Sequence, residues 1–196
     1  SLFLMLILLI SHSCYSPNDP IPIEPKDAYQ LLLEQLDPEY PGRGIDVFND
    51  EVKDRPMAYG LIMMAEANRF NSTGDSAALS SVRTAGEWLL GSYDLNENGI
   101  AGYGLADSWD AAQDGSINEP HQEYTITTAV AISGLLDWFG IERNPDFSNR
   151  ISQSLVLLFE PYLSTIYYSP LGIPGYSLAD ADLQYDIYNP AAYLAG

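Results

Sequence analysis

The sequence predicts an all-α fold of repeated helical hairpins that form part of an (α/α)n toroid, and three observations predict it. First, a motif recurs: Gly99-Ile100-Ala101-Gly102-Tyr103-Gly104-Leu105-Ala106-Asp107 matches Gly172-Ile173-Pro174-Gly175-Tyr176-Ser177-Leu178-Ala179-Asp180 at seven of nine positions, offset by 73. An internal repeat settles architecture before it settles function. Second, helical segments that are apolar all round alternate with amphipathic ones, so buried helices alternate with peripheral ones. Third, a long connection precedes each apolar helix and a short turn follows it. A hairpin alone cannot bury its inner helix, so such units stack side by side. Inner helices that close into a ring make a toroid. An open α-solenoid is the structural alternative, although its loops are usually short and alike.

The elements follow in order. Residues 1–10, SLFLMLILLI, are too short an apolar run to span a bilayer but suit a signal-peptide core, so export is expected. The run ends in Ser11-His12-Ser13-Cys14, and Cys14 is the single cysteine, which removes any disulfide framework or thiolate metal cluster. The stretch resembles the cleavage box of bacterial lipoproteins, which implies lipidation of Cys14; it departs from that box at Ser11, where an aliphatic residue is usual. A lipoprotein of the outer membrane or cell surface is expected, with a periplasmic or secreted protein as the alternative. Residues 15–25 carry four prolines and read as an extended tether. The toroid domain is expected over 26–196.

Its first helix is predicted over Lys26 to Leu36 and is stopped by Asp37-Pro38. The stretch EYPGRGIDVFNDEVKD reads as a loop. Arg55-Pro56 opens a helix to Phe70, with proline in the first turn where its absent N–H costs nothing. Met57 to Ala65 leave hardly a polar face, which predicts burial on all sides. After the turn Asn71 to Gly74, Asp75 caps an amphipathic helix that runs through Leu90. A second apolar helix is predicted from about His121 to Phe139, and an amphipathic one from Asp146 to Phe159 with Phe147, Ile151, Leu155 and Leu158 in one stripe. A third apolar helix begins near Tyr188-Asn189-Pro190. Its Pro190 to Tyr193 echo Pro56 to Tyr59, with Pro120 and Tyr124 a looser third copy. Because the chain opens on Ser1 and stops within that helix, it is expected to be the amino-terminal part of a longer protein whose remainder completes the ring.

Composition limits the partners. Eight basic against 27 acidic residues give a net charge of −19, which repels nucleic acid and anionic lipid. Nucleic acid is therefore excluded, and membrane contact is expected through a lipid anchor alone.

The loop pattern places the chemistry. Every long loop enters an inner helix at its amino end, so these loops gather at one end of the ring. That end collects Arg55, Glu119, His121, Glu123, Tyr124, Tyr188 and Asn189 from helix starts, and Tyr103, Asp107, Trp109, Asp110, Tyr176, Asp180 and Asp182 from loops. Helical hairpins with aromatic and acidic loops at one end, behind an export signal, resemble the α/α toroid carbohydrate-active enzymes: glycoside hydrolases, polysaccharide lyases and uronyl epimerases. The resemblance implies a polysaccharide or oligosaccharide as partner. No diagnostic family motif is present, so no family's catalytic residues carry over.

Two chemistries remain open, the lyase slightly ahead. Elimination across a uronic acid needs a base, a donor that neutralises the carboxylate and an acid for the leaving oxygen. His121 is the candidate base, Tyr124 or Tyr188 the acid, and Asn189 or Arg55 the neutraliser; the resemblance implies such Asn, His and Tyr combinations. Hydrolysis needs two carboxyl groups, one with a raised pKa, and Glu119, Glu123, Asp107, Asp110 and Asp180 are its candidates. The acidic balance suits a neutral glycan better than a polyuronate. A non-catalytic glycan-binding lipoprotein is the reading outside catalysis. Trp109, Arg55, Tyr188, Asp107 and Asp110 are the candidate substrate contacts. Tyr167 and Tyr168 join Tyr103, Trp109 and Tyr176 as rings able to stack on sugars. The recurrence of Tyr103 as Tyr176, and of Asp107 as Asp180, points to packing, whereas His121, Trp109 and Asn189 are singular.

Calcium is the one cofactor candidate. Asp94, Asn96, Asn98 and Gly99 match the first half of a calcium loop. Leu105 stands at the twelfth position where an EF-hand needs Glu, so an EF-hand is excluded. A looser site completed by Asp107 or another loop is one reading, and an Asn-Gly turn among incidental acids is the other.

Overall fold

The structure is a computed structural model that describes residues 28–45, 50–110 and 113–195. The expected signal segment, Cys14 and the tether over 15–25 lie outside the described residues. The chain divides into two compact units, Ser1–Gln35 and Leu36–Gly196. Among the described residues the fold is all-α, with one two-stranded hairpin and no helix long and apolar enough to cross a membrane.

The first unit holds helix α1, Ala28–Leu33, which ends before the expected Leu36; Lys26 lies outside the described residues. The second unit begins on an Asx turn in which Asp37 accepts from the N–H groups of Glu39 and Tyr40 at 2.9 and 3.2 Å. The stretch expected as a loop instead forms strands β1, Arg43–Ile45, and β2, Val52–Asp54, antiparallel with Gly44 opposite Lys53. What pins this short ladder is charge: Arg43 grips Asp54 through Nε and Nη2 at 3.2 and 3.1 Å, and Tyr40 stacks under the same guanidinium.

Helix α2, Pro56–Thr73, starts on the predicted proline and ends on Gly74 in the left-handed region, whose N–H closes on Phe70 O at 2.8 Å. Helix α3, Ser76–Gly91, starts where Asp75 caps Ala77 N–H, as predicted. Helix α4 runs Thr125–Ile141 and helix α5 Pro145–Phe159, the latter capped by Asn144. Two short 3₁₀ turns follow, Glu160–Leu163 and Thr165–Tyr167, and helix α6 covers Tyr188–Ala195.

α2 and α4 pack on each other, α3 covers α2, α5 covers α4, and α6 lies on α4. Where α2 meets α4, the backbones touch. A Cβ on Gly60 would stand 2.6 Å from Val130 O, and one on Gly134 would stand 2.7 Å from Gly60 O and 3.1 Å from Met63. Residue numbers rise together across this contact, so the two helices run parallel, with α3 returning between them in sequence. The core forms at their junction from Met63, Val82, Leu89, Leu135, Trp138, Ile151 and Leu158, all with no measurable exposure. Beside it, Glu142 is sealed between Arg83, at 2.8 and 2.7 Å, Trp138 Nε1 at 2.9 Å and the N–H groups of Arg143 and Asn144.

Two expectations are corrected. α2 is not buried all round: Leu61 is 51 % exposed, because α3 and α4 together cover two faces and leave a third. α4 begins at Thr125 and not at His121, because the four preceding residues are extended or turned and spend their hydrogen bonds elsewhere.

Candidate functional site

Both copies of the repeated motif grip the same short segment. Tyr124 N–H donates to Tyr103 O at 2.9 Å, and Thr125 N–H donates to Tyr176 O at 3.0 Å. Gly104 pairs with Glu123 and Ser177 with Tyr124, both antiparallel. The segment 122–125 is therefore the middle rung of a three-layered ladder whose outer rungs are the two motif copies. It feeds directly into α4, so the ladder fixes where that helix begins. The motif tyrosines differ in surroundings. Tyr103 is buried with its hydroxyl on Leu89 O at 2.8 Å, and Tyr176 meets Tyr124 edge to face at 5.6 Å.

His121 stands at the mouth of this ladder in an unusual conformation, φ +65°, with its N–H on Leu105 O at 2.6 Å. A β-carbon on Gly104 would lie 2.1 Å from Gln122 O and 2.5 Å from His121 C, so glycine is required there. The second motif copy carries Ser177 at the equivalent position. The copies thus diverge where one of them abuts His121.

Around His121 the structure assembles a charged pocket. Lys53, on β2, pairs with Asp107 and lies 2.8 Å from Glu51, and Arg55 Nη1 donates to Asp107 at 3.0 Å. His121 lines a cavity of about 250 Å³ with Lys53, Asp54, Pro56, Trp88, Ser92, Leu95 and Ala106. Trp88 is stacked face to face on Tyr59, centroids 4.2 Å apart, and the Tyr59 hydroxyl donates to Asp54 at 2.6 Å. The electrostatics are consistent in direction. Hydrogen bonding to Lys53 lowers the Asp107 pKa and raises that of Lys53, so the pair stays ionised. Burial lowers the His121 pKa, with Asp107 opposing it, so the imidazole is a free base at neutral pH.

A second cluster lies on the other side of the ladder. Asn118 Nδ2 donates to Tyr124 Oη at 3.1 Å and to Asp182 at 2.7 Å, and Ser177 donates to the same Asp182 oxygen at 2.5 Å. All four residues are buried, and burial raises the Tyr124 pKa. Tyr124 does not line the cavity that His121 lines, so the expected pairing of His121 as base with Tyr124 as acid is not brought together. Glu123 points to neither cluster. It is 1 % exposed, its Oε2 accepts from Asn98 and Gln122 at 3.3 and 2.8 Å, and burial raises its pKa against those bonds.

The remaining candidates are scattered. Glu119 and Asp180 are exposed, and Tyr188 and Asn189 stand exposed at the start of α6. Trp109, 48 % exposed, pairs with Asn118 across a hairpin whose turn Asp110 caps by accepting from Asp114 and Gly115 N–H. Tyr167 lines a separate cavity of about 460 Å³ that also takes in Tyr93 and Asp94, and Tyr168 donates to Tyr162 O at 2.8 Å. Asp107 is held by Lys53 and Arg55, so it does not complete the Asp94 loop.

Sequence reasoning missed Lys53, Trp88, Asn118 and Ser177. For Lys53 the one signal was its place two residues before the Arg55-Pro56 helix start. For Asn118 and Ser177 there was none, since their partner lies far along the chain. Compared with models of known families, with curated proteins and with solved structures, the chain matches none.

Proposed function

We propose that the protein is an exported carbohydrate-active enzyme of the α/α toroid type that acts on an anionic, uronate-bearing polysaccharide by abstracting a proton, with His121 as base. The observation that carries this is the cavity in which His121, Lys53 and the ring of Trp88 converge. In a chain with eight basic residues and a net charge of −19, Lys53 and Arg55 bring two of those cations to the edge of this cavity, where Glu51, Asp54 and Asp107 stand against them. A uronate-bearing sugar suits Lys53, Trp88 and His121: the lysine meets the carboxylate, an aromatic face meets the ring, and an imidazole meets the adjacent C–H.

The toroid reading draws support from the parallel packing of α2 and α4, with α3 and α5 on their outer sides and α6 added against α4. Hydrolysis has less support. Glu123 and Asp137, the carboxyl groups whose pKa burial raises, line neither of the two cavities described.

The test is incubation with a panel of uronate-containing and neutral polysaccharides. Elimination gives unsaturated ends that absorb in the ultraviolet, and epimerisation gives solvent-hydrogen exchange at the carbon next to the carboxylate. Reducing ends without ultraviolet absorbance refute the proposal in favour of hydrolysis, and binding without either leaves a glycan-binding protein.

A further inference from the structure

The loop Asp94–Gly99 has a twin. In Asp94–Gly99 and in Asp110–Gly115, the first aspartate accepts from the N–H groups of the fifth and sixth residues. In both, the fifth residue's Oδ1 accepts from the N–H of the seventh, at 2.8 and 2.9 Å. The fourth residues, Glu97 and Gln113, share φ +56°. These bonds and this φ are therefore common to both and distinguish nothing. What differs is the company each loop keeps.

At the twin, oxygen acceptors have donors. Asp114 accepts from Ser116 and from the hydroxyl of Tyr185 at 2.6 Å. At the first loop two acceptors lack a donor. Asn96 Oδ1 is buried and accepts no hydrogen bond, and Glu123, 1 % exposed, brings a carboxylate against the loop with its Oε1 buried and equally without one. The Asn96 side chain lies against the same carboxylate and favours its ionised form, which burial opposes. Each such unsatisfied buried acceptor costs on the order of 1–3 kcal/mol, and a buried carboxylate costs more. Two acceptors with no donor, one of them anionic, are what a hard cation satisfies.

We propose that the loop Asp94–Gly99 and Glu123 together bind one calcium ion, through side-chain oxygens of Asp94, Asn96, Asn98 and Glu123. Asp94 and Glu123 supply two negative charges, matching a divalent ion, and the asparagines add neutral oxygens. Four side chains drawn from a loop and a ladder rung give the irregular oxygen set that calcium accepts; magnesium demands near-octahedral geometry and keeps its waters. Glu123 thus takes the place that an EF-hand gives to its twelfth residue, from a position 29 residues beyond Asp94. The ion ties the loop to segment 122–125, and so braces His121 from behind.

The assay needs no substrate and is independent of the proposed activity. The purified chain is stripped with chelator, then titrated with calcium chloride by calorimetry and followed by thermal melting, with magnesium chloride in parallel. Calcium is expected to bind at one site and, at a hundredfold excess over its Kd, to raise Tm by about 5–10 °C. Glu123→Gln and Asn96→Ala should each weaken binding by tenfold or more, and Asp114→Ala should leave it unchanged. Glu123→Gln removes a buried charge, so it should fold without calcium. Absence of any calcium-dependent heat or shift at about 1 mM, the weak end for extracellular sites, overturns the proposal. So does an equal response to magnesium, or undiminished binding in both Glu123→Gln and Asn96→Ala.

Discussion

His121 offers a substitution in which structure and chemistry pull in opposite directions. Its φ of +65° lies in the left-handed region, where an L-residue pays about 1–2 kcal/mol relative to the right-handed one and glycine pays nothing. Glycine gives back part of that through its larger unfolded-state entropy, about 0.5–1 kcal/mol. His121→Gly should therefore be more stable than His121→Ala by about 0.5–1 kcal/mol, or roughly 1–4 °C in Tm for a chain of this size. Alanine keeps the strain and loses the imidazole, whereas glycine loses both. The N–H bond to Leu105 O is open to all three residues and cancels in the comparison. Both variants should lose turnover on the proposed uronate-bearing substrate by at least a hundredfold, the lower range for a positioned base. The assay pairs thermal melts of the two variants with initial rates on the panel above. If His121→Gly melts below His121→Ala, the strain argument fails; if either keeps full activity, the imidazole is not the base.

Other substitutions probe the frame. Lys53→Met should raise KM for an anionic polysaccharide about tenfold while lowering the melting temperature only slightly, since Arg55 still holds Asp107; an unchanged KM would remove Lys53 as the carboxylate contact. Glu142→Gln should cost about 3–5 kcal/mol in urea unfolding, because the amide presents one acceptor where the carboxylate meets Arg83, Trp138 and two backbone N–H groups. The wild-type Glu142 carboxyl is held at about 2 against an ordinary 4.5, chiefly by Arg83, and contributes on the order of 3 kcal/mol at neutral pH. Its folded pKa lies below its unfolded one, so that stability is full above about pH 4.5 and is lost as pH falls through about 2. The Glu142→Gln stability profile should be correspondingly flatter in acid. Gly60→Ala drives a methyl into Val130 O and should lower stability by about 1–3 kcal/mol in thermal melts; a neutral result would mean α2 and α4 separate freely.

Local chemistry made most helices readable. Pro56 and Asp75 mark starts by mechanisms that act within one turn, and the 3.6-residue stripes of α3 and α5 need no partner to be seen. The start of α4 was not readable, because residues 122–125 are held extended by chains that precede them by about 20 residues and follow them by about 50. The apolar run from Thr125 onward was visible, yet nothing local distinguishes the extended Gln122 to Tyr124 from a helical first turn. β1 and β2 were hidden for a similar reason: three-residue strands carry no usable alternation, and their ladder depends on Arg43 reaching Asp54. The site was half legible. Arg55, Asp107 and His121 were recognisable as polar groups at a helix start and a loop, but Lys53 and Trp88 face them from elements whose placement only tertiary structure decides. Glu123 was recognised as an acid and misplaced, since its burial is produced by Asn96 and Asn98 arriving from another loop.

The ladder over 122–125 also governs how the molecule comes apart. Each hairpin contributes one flank to a rung that neither owns, so loosening the first motif copy strips hydrogen bonds from the second hairpin's inner helix, and loosening the second does the same from the far side. The Tyr124 amide proton, held by Tyr103 O, should consequently exchange with solvent as the first copy opens, and that of Thr125, held by Tyr176 O, as the second does. The two long connections, which in a sequence look like the most dispensable parts of each unit, are what make the hairpins unfold together.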